Sequence, residues 1–187
     1  MFDAATEVRR YADFVTEDVL GAIQEDAAIA DNVIKAGETV SLRIEDGLLH
    51  ARGSDTGRAT GTATRDAQPG EDVGVTGFAG IIDLEPGTIE LVQVPSIRSG
   101  GSRNVPHAAL TEACAGAELV VCAGVEAVVA ARSADIAVDT WFAPGPVAAN
   151  AATLGLDVAV IATVDHIGRV TDALRDADVS YGVTDGR

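Results

Sequence analysis

Lysine is nearly absent from this chain: Lys35 is the only lysine among 13 basic residues, against 29 aspartates and glutamates. The formal net charge is −16 at pH 7. Because phosphate contacts need clustered cations, this composition argues against a chain that grips nucleic acid by itself. An Asp-rich, Lys-poor surface is typical of proteins kept soluble in molar salt, where the Debye length falls to about 3 Å. We therefore expect a halophilic protein, with an ordinary acidic protein as the alternative.

Cysteines, aromatic residues and long apolar runs are also scarce. Cys114 and Cys122 are the only cysteines and form no CxxC pair, which favours two small core residues over metal or redox chemistry. Aromatic residues make up 4%, so a core must be built mainly from the aliphatic part of the 47% hydrophobic residues. No apolar run approaches the length of a membrane span, and no signal peptide is visible. These absences predict a cytoplasmic protein without a membrane partner.

Catalytic and cofactor signatures are missing as well. The sequence has no G-x-G-x-x-G after a strand, no Walker A motif, no HExxH and no GxSxG elbow. His50, His107 and His166 are well separated and lack metal-ligand spacing. We therefore predict no cofactor, no metal and no catalytic residue. Asp165-His166 at a strand end is the best acid–base candidate, with an ordinary surface helix start as the alternative.

The periodicity of apolar residues predicts three parts. Residues 1–36 contain a long helix over 3–32, whose stripe from Val8 to Ile23 packs either against a second copy or against its own domain. Residues 37–88 hold short strands and turns, with Asp46-Gly47 as a hairpin signal, and indicate a small antiparallel β-module or partial barrel. In residues 89–187, apolar strands alternate with helices. This pattern predicts a Rossmann-like α/β domain with a mostly parallel sheet of about five strands, one of them "VDTWFA".

A glycine- and arginine-containing loop, "PSIRSGGSRNVPHAAL", lies between a predicted strand and a predicted helix. In parallel sheets, ligands bind beyond the carboxyl ends of the strands, where helix N-termini point. Backbone N–H groups and two arginines at this place suit a carboxylate or phosphate. The alternative is a solvated loop whose arginines pair with aspartates. The predicted ligand-binding residues, from this loop and from the next strand end, are Arg98, Ser99, Gly100, Gly101, Ser102, Arg103, Gly124 and Glu126.

A third segment at the same predicted edge is "APGPVAAN", residues 143–150. Its prolines and glycine predict a rigid turn before a helix. Trp141 lies just before this segment and is either a core residue or the wall of a pocket.

Several phrases carry a resemblance that covers nearly the whole chain. They are "EVRRYADFVTEDVLGAIQEDAAIA", "AGETVSLRIEDGLLHAR", "GEDVGVTGFAGIIDLEPGTI", "VPSIRSGGSR" and "GRVTDALRDADVSYGVTD". Together they resemble the C-terminal region of archaeal winged-helix, MarR-like transcriptional regulators. In that family a winged-helix unit precedes the long helix, and the rest is a domain of unknown function. No winged-helix unit fits ahead of Val8 here, so the chain is expected to be an excised domain or a shortened relative.

Three functional hypotheses follow from the residues and the resemblance. The first is an effector-sensing and dimerising region of a transcriptional regulator, which binds a small anionic metabolite and reaches DNA only through a missing winged-helix unit. The second is a small α/β enzyme acting on an anionic substrate, which requires Asp165, His166 or Glu126 beside a pocket that contains Arg103. The third is a ligand-free dimerisation module that associates through the N-terminal helix.

Overall fold

The computed structural model describes residues 25–185. The chain divides into two compact units, Met1–Leu84 and Glu85–Arg187. Most of the predicted N-terminal helix, including the stripe from Val8 to Ile23 proposed for self-association, lies outside the described residues. The end of that prediction is wrong, because Asp26–Ala30 forms a strand, β1.

The described part of unit 1 is a closed barrel of five short strands. They are β1, β2 (Thr39–Glu45), β3 (Leu48–Gly53), β4 (Ala59–Ala63) and β5 (Asp72–Gly80). Their order around the barrel is β1-β3-β2-β4-β5, and the pairing of β1 with β5 closes it. Four of the five pairings are antiparallel, whereas β1 and β3 run parallel. The hairpin at Asp46-Gly47 is confirmed, and both residues have the positive φ of a type I′ turn.

Small side chains fill the barrel interior. A five-stranded barrel is narrow, so its inward positions accept mainly alanine and valine. At Gly61 even a methyl group would come within 2.4 Å of a methyl of Val75. This explains how a chain so poor in aromatic residues builds a closed core. The buried residues are Ala28, Ala30, Ile34, Val40, Leu42, Ala51, Ala59, Ala63, Ala67, Val73 and Val75.

Unit 2 is a four-stranded parallel sheet with helices on both faces. Its strands are β6 (Ile89–Val94), β7 (Leu119–Ala123), β8 (Val158–Thr163) and β9 (Tyr181–Asp185). Its helices are α1 (His107–Ala113), α2 (Val125–Ser133), α3 (Pro144–Thr153) and α4 (Val164–Asp176). The strand order is β7-β8-β6-β9. Every residue of β8 is buried, as expected for a central strand covered on both faces.

The two faces of this sheet carry separate cores. Val94 and Ile161 pack on one face with Leu110 of α1 and the alanines of α2. Leu91 and Val160 pack on the other face with the alanines of α3 and with α4. Both faces use alanine where helix and sheet meet, which brings the helices close to the strands. Because β7, β8 and β6 are parallel neighbours, their carboxyl ends lie side by side at the same end of the sheet, which we call its carboxyl edge.

The predicted fold class is wrong in its architecture. The β-module is a closed barrel that begins at β1, rather than an antiparallel module within 37–88. The sheet has four strands, because the predicted strand "VDTWFA" forms only one bridge, from Thr140 to Val121. By chain order the strands run second, third, first, fourth, which differs from the doubly wound Rossmann order. Apolar runs revealed which segments are strands but carried no information on their neighbours.

Within residues 25–185, none of the helices has the length and apolarity that crossing a membrane requires.

Candidate functional site

The glycine- and arginine-containing loop folds into two short 3-10 turns, Ile97–Ser99 and Gly101–Asn104. Gly100 and Gly101 both have positive φ, of 100° and 62°. The N–H groups of Ser99 and Gly101 donate to the carbonyl of Ser96 at 2.8 and 2.9 Å, so they are used inside the loop. A side chain at Gly100 would lie 2.0 Å from the Asn104 amide nitrogen, so only glycine fits there. The turn is thus a compact structure of its own.

Asn104 fixes this turn rather than capping the next helix. Its side-chain amide donates to the carbonyl of Ser99 at 2.9 Å, and α1 begins after Pro106 without a side-chain cap. Arg98 and Arg103 are exposed, and neither forms an ion pair with a residue in the described range. The expected pairing of these arginines with aspartates is therefore not seen within residues 25–185. Anion binding by this loop stays a prediction.

Glu126 joins two strand ends at the carboxyl edge of the sheet. It lies in the first turn of α2 and accepts hydrogen bonds from the N–H of Ile97 at 3.1 Å and from the hydroxyl of Thr163 at 3.3 Å. The bond from its own backbone N–H lowers the pKa of Glu126 most. Burial works against this, while Ile97, Thr163 and the nearby His166 add to the lowering. Glu126 therefore holds the loop after β6 in place as a carboxylate.

Gly124 connects β7 to α2 in a conformation that only glycine readily adopts, with φ 101° and ψ 156°. A Cβ at this position would come within 2.4 Å of the Thr163 hydroxyl and 3.0 Å of the His166 ring. The glycine thus lets the backbone pass directly over the start of α4. It also brings His166 against the first turn of α2.

A cleft of about 430 Å³ opens beside Gly124, and we call it the α2 cleft. One wall is a single face of α2, because its residues recur at spacings of three and four. Trp141 lines the same cleft, and His166 and Gly124 lie at the start of the helix. The residues that line the α2 cleft are Gly124, Val125, Val128, Val129, Arg132, Trp141 and His166.

A second cavity of about 290 Å³ adjoins the α2 cleft through His166, which lines both, and we call it the α3–α4 recess. Arg169 of α4 lines this recess, opposite the N-terminal turn of α3. Pro144 to Pro146 line the recess and form the first turn of α3. The rigid turn predicted before a helix in "APGPVAAN" is therefore wrong, because the helix already begins at Pro144, where proline suits the first helical position. Arg132 and Arg169 are both without an ion-pair partner among the described residues. Each cavity therefore contains one arginine without an ion-pair partner, and His166 lines both cavities.

The structure brings together only some of the residues predicted to bind a ligand. Gly124 lines the α2 cleft, and Glu126 supports its edge, whereas the residues from Arg98 to Arg103 line neither cavity. Trp141 walls a pocket and is 48% exposed, so its core alternative is wrong. Sequence reasoning missed Arg132, although Val125, Val128, Val129 and Arg132 share one helix face. That spacing was a usable signal, but only the fold shows that this face borders a cavity.

Other cavities of unit 2 lack this chemistry. A groove of about 410 Å³ between α3 and α4 has alanines along both sides and no cation. A cavity of about 490 Å³ beside α1 is lined by Glu90 and Glu112, which would repel an anion. Of these cavities, only the α2 cleft and the α3–α4 recess have arginine and histidine in their lining.

Residues 83–183 match the model of a domain of unknown function, DUF7839. The chain belongs to the DUF7839 family. The match spans nearly all of unit 2, so the loop, the α2 cleft and the α3–α4 recess all lie within the DUF7839 domain.

A relative of the chain is an uncharacterised protein of the archaeon Methanocaldococcus jannaschii. The two are 31% identical over 160 residues, which is 84% of this chain and 61% of the relative. The chain thus spans about three fifths of the length of the curated relative it matches. No solved structure matches the chain. These comparisons show a DUF7839 domain with an archaeal relative, and they show no link to winged-helix regulators.

Metal and thiol chemistry find no support within residues 25–185. In this range no group of three or more His, Cys, Asp or Glu is placed to hold a metal ion. Cys122 is fully buried in the DUF7839 domain, and burial raises its pKa to about 12. A thiol with so high a pKa is a poor nucleophile at neutral pH. Cys114 and Cys122 are both free thiols, and Cys122 is the small core residue that the sequence predicted.

Glu126 holds the loop after β6 through its hydrogen bonds, and mutation can test how much this stabilises the DUF7839 domain. We expect Glu126→Ala to lower the free energy of unfolding by about 1–3 kcal/mol, because the Ile97 N–H and the buried Thr163 hydroxyl both lose their acceptor. Glu126→Gln keeps an acceptor oxygen and should cost less. Urea unfolding measures both, with Glu112→Ala on exposed α1 surface as the control. Equal stabilities of Glu126→Ala and Glu112→Ala would contradict this anchoring role.

Proposed function

We propose that the DUF7839 domain binds a small organic anion in the α2 cleft. The observation that carries this proposal is Arg132, a cation without an ion-pair partner among the described residues, in a cleft that also holds Trp141 and His166. A volume of about 430 Å³ lies in the range of small-molecule sites, which is about 300–1,000 Å³. Mostly apolar walls with a few polar groups are also typical of such sites.

The overall charge makes an unpaired arginine informative. A chain of −16 repels anions in general, so an anion binds only where local cations outweigh that field. Arg43, Arg58, Arg65 and Arg175 all have carboxylate partners within the described residues. Arg132 keeps its guanidinium available, and a guanidinium can hold a carboxylate or phosphate with two parallel hydrogen bonds. Arg169, in the α3–α4 recess, adds a second cation on the other side of His166.

We further propose that this binding serves sensing rather than catalysis, as part of a longer regulatory protein. The match covers 61% of the archaeal relative, so 39% of that protein lies outside it, which leaves room for an output region there. Regulation of transcription, as in the archaeal winged-helix regulators that the sequence resembles, is the form of output we propose. A ligand drives such an output only if its affinity differs between two conformations of the protein.

The enzyme hypothesis gains no comparable support. It needs an acid–base group beside a pocket lined by Arg103, and Arg103 lines neither the α2 cleft nor the α3–α4 recess. His166 lines both cavities, but its neighbour Asp165 lines neither. Glu126 is engaged with Ile97 and Thr163. The third hypothesis, a ligand-free dimerisation module, concerns the N-terminal helix and lies outside the described residues.

A thermal-shift screen with phosphorylated sugars, nucleotides and organic acids tests the proposal, and it should be run in both dilute and molar KCl. A ligand present at about 100 times its Kd adds about 2.7 kcal/mol, which corresponds to a rise in Tm of roughly 5–10 °C for a chain of this size. We expect Arg132→Ala to remove the shift. Arg98→Ala is the matched control, because Arg98 is equally unpaired among the described residues but lies outside the cleft lining, and it should keep the shift.

Two results would contradict the proposal. If no anion raises the Tm of the native chain, the DUF7839 domain does not bind this class of ligand. If Arg98→Ala or Arg103→Ala removes the shift while Arg132→Ala keeps it, the anion sits in the glycine loop instead. A reporter assay with the same variants in the full-length protein then tests sensing, since a ligand without regulatory effect contradicts that step.

A further inference from the structure

We infer that the ligand of the α2 cleft carries a flat aromatic ring beside its anionic group. This inference rests on the proposed function and concerns the class of ligand. It starts from Trp141, the only tryptophan of the chain, which is 48% exposed. Phe142 next to it is 72% exposed, and the two ring centroids are 5.7 Å apart at an angle of 39°. Aromatic residues make up only 4% of the chain, and burying a large ring stabilises a fold strongly. Two adjacent exposed rings therefore forgo stabilisation that the core could have gained from them.

Hydrogen bonds hold the backbone of the segment that carries these two rings. The Cys122 N–H donates to the Thr140 carbonyl at 3.0 Å, which ties the segment to the edge of β7. The Phe142 N–H donates to the Thr140 hydroxyl at 3.1 Å. Ala143, which follows, is held in the left-handed region at φ 46° and ψ 50°. A residue other than glycine is strained in that region, and such strain concentrates at ligand-binding sites. The backbone that carries Trp141 is therefore held in place before any ligand arrives.

The α2 cleft has other apolar lining besides Trp141. Val125 and Val129 of α2 line the cleft and are 76% and 42% exposed. The indole and these branched aliphatic side chains together give the cleft an apolar surface that suits a flat ring. Stacking on an aromatic side chain needs no hydrogen-bond pattern, because every planar aromatic ring has a π-face. A small polar anion such as glycerol 3-phosphate would cover less of this apolar surface than a planar ring does.

The charged groups lie along the same cleft. Arg132 follows Val128 and Val129 on the helix face, and His166 lies by Gly124 at the other end of that face. An anionic substituent of the bound ring can therefore meet the guanidinium or the imidazole while the ring stays against Trp141. Nucleoside monophosphates and aromatic carboxylates share this chemistry. One aromatic phosphate and one aromatic carboxylate, used as separate probes, distinguish these two classes of ligand.

Trp141 fluorescence provides a direct test because the chain has no second tryptophan. Adenosine 5′-monophosphate and nicotinate serve as aromatic probes, and glycerol 3-phosphate and butyrate serve as aliphatic probes with the same phosphate or carboxylate group and the same charge. We expect at least one aromatic probe to quench Trp141 fluorescence saturably and to bind at least tenfold more tightly than its aliphatic counterpart. Calorimetry on the Trp141→Leu variant should show a loss of affinity of about tenfold or more. Phe78→Leu, at an exposed ring in unit 1, is the matched control and should bind normally.

Each outcome is decisive. If aliphatic and aromatic probes bind equally well and depend on Arg132 but not on Trp141, the aromatic inference is overturned and the proposed anion site stands. If no probe binds, the aromatic inference fails, and the thermal-shift screen decides whether the proposed anion site stands. Saturable quenching in the native chain supports the inference even if Trp141→Leu folds poorly, and quenching by one probe alone identifies the phosphate or the carboxylate source.

Discussion

We expect Gly124→Ala to lower the free energy of unfolding of the DUF7839 domain by about 3 kcal/mol. The backbone at Gly124, with φ 101° and ψ 156°, lies in a region that costs a side-chain-bearing residue about 1–3 kcal/mol. The new methyl group would also come within 2.4 Å of the Thr163 hydroxyl, whose residue is only 1% exposed and has little room to move. Because the same methyl group would approach His166 within 3.0 Å, we also expect ligand binding in the α2 cleft to be lost.

Two other glycines separate the causes of this effect. Gly116 has a φ of 85° and open space around its Cβ position, so Gly116→Ala carries backbone strain alone and should cost about 1 kcal/mol. Gly168 lies within α4 at an ordinary φ with nothing within 4 Å, so Gly168→Ala should add about 0.4–1 kcal/mol of stability. Urea unfolding followed by hydrogen exchange measures all three. If Gly124→Ala is no less stable than Gly116→Ala, that result would contradict the close approach of the Gly124 backbone to the Thr163 side chain.

The second large effect is expected in the barrel, where Asp31 is a half-buried carboxylate with two partners. Arg43 donates to both of its oxygens, and His50 Nδ1 lies 2.9 Å from Oδ1. Burial raises the pKa of Asp31, but the hydrogen bonds and charges of Arg43 and His50 outweigh it, so this pKa lies below its ordinary value. We expect Asp31→Ala to lower the free energy of unfolding by about 1.5–3 kcal/mol at pH 7, because bonds to a charged group are lost.

This effect should depend on pH in a defined direction. A carboxylate whose pKa is lower in the folded than in the unfolded chain contributes its full stabilisation above about pH 4 and loses it as the pH falls through the folded value. The difference in stability between native and Asp31→Ala chains should therefore shrink between pH 5 and pH 2. Asp83→Ala is the control, because Asp83 and Arg58 form an exposed pair worth less than about 1 kcal/mol. A difference that stays constant down to pH 2 would show that Asp31 acts through packing rather than charge.

The predictions that held are those encoded within a few neighbouring residues. Asp46-Gly47 makes a type I′ turn because both residues tolerate positive φ, and no distant contact is needed. The run "VAVIAT" is buried at all six positions because a continuous apolar segment between helices has only a two-faced sheet in which to lie. The hydrophobic pattern also indicated that strands and helices alternate in the second half of the chain.

Tertiary structure alone decided which segments became neighbours. β1 closes the barrel against β5, some 45 residues later, through an antiparallel pairing for which a five-residue alanine-rich strand carries no local signal. The order β7-β8-β6-β9 is set by how the helices cover both faces, and several orders satisfy the same apolar pattern. The α2 cleft depends on that order, because β7 is an edge strand that pairs with Thr140, and this bridge brings Trp141 into the lining of the cleft that also contains Arg132. The sequence supplied these side chains, and only the long-range packing of the sheet made them one site.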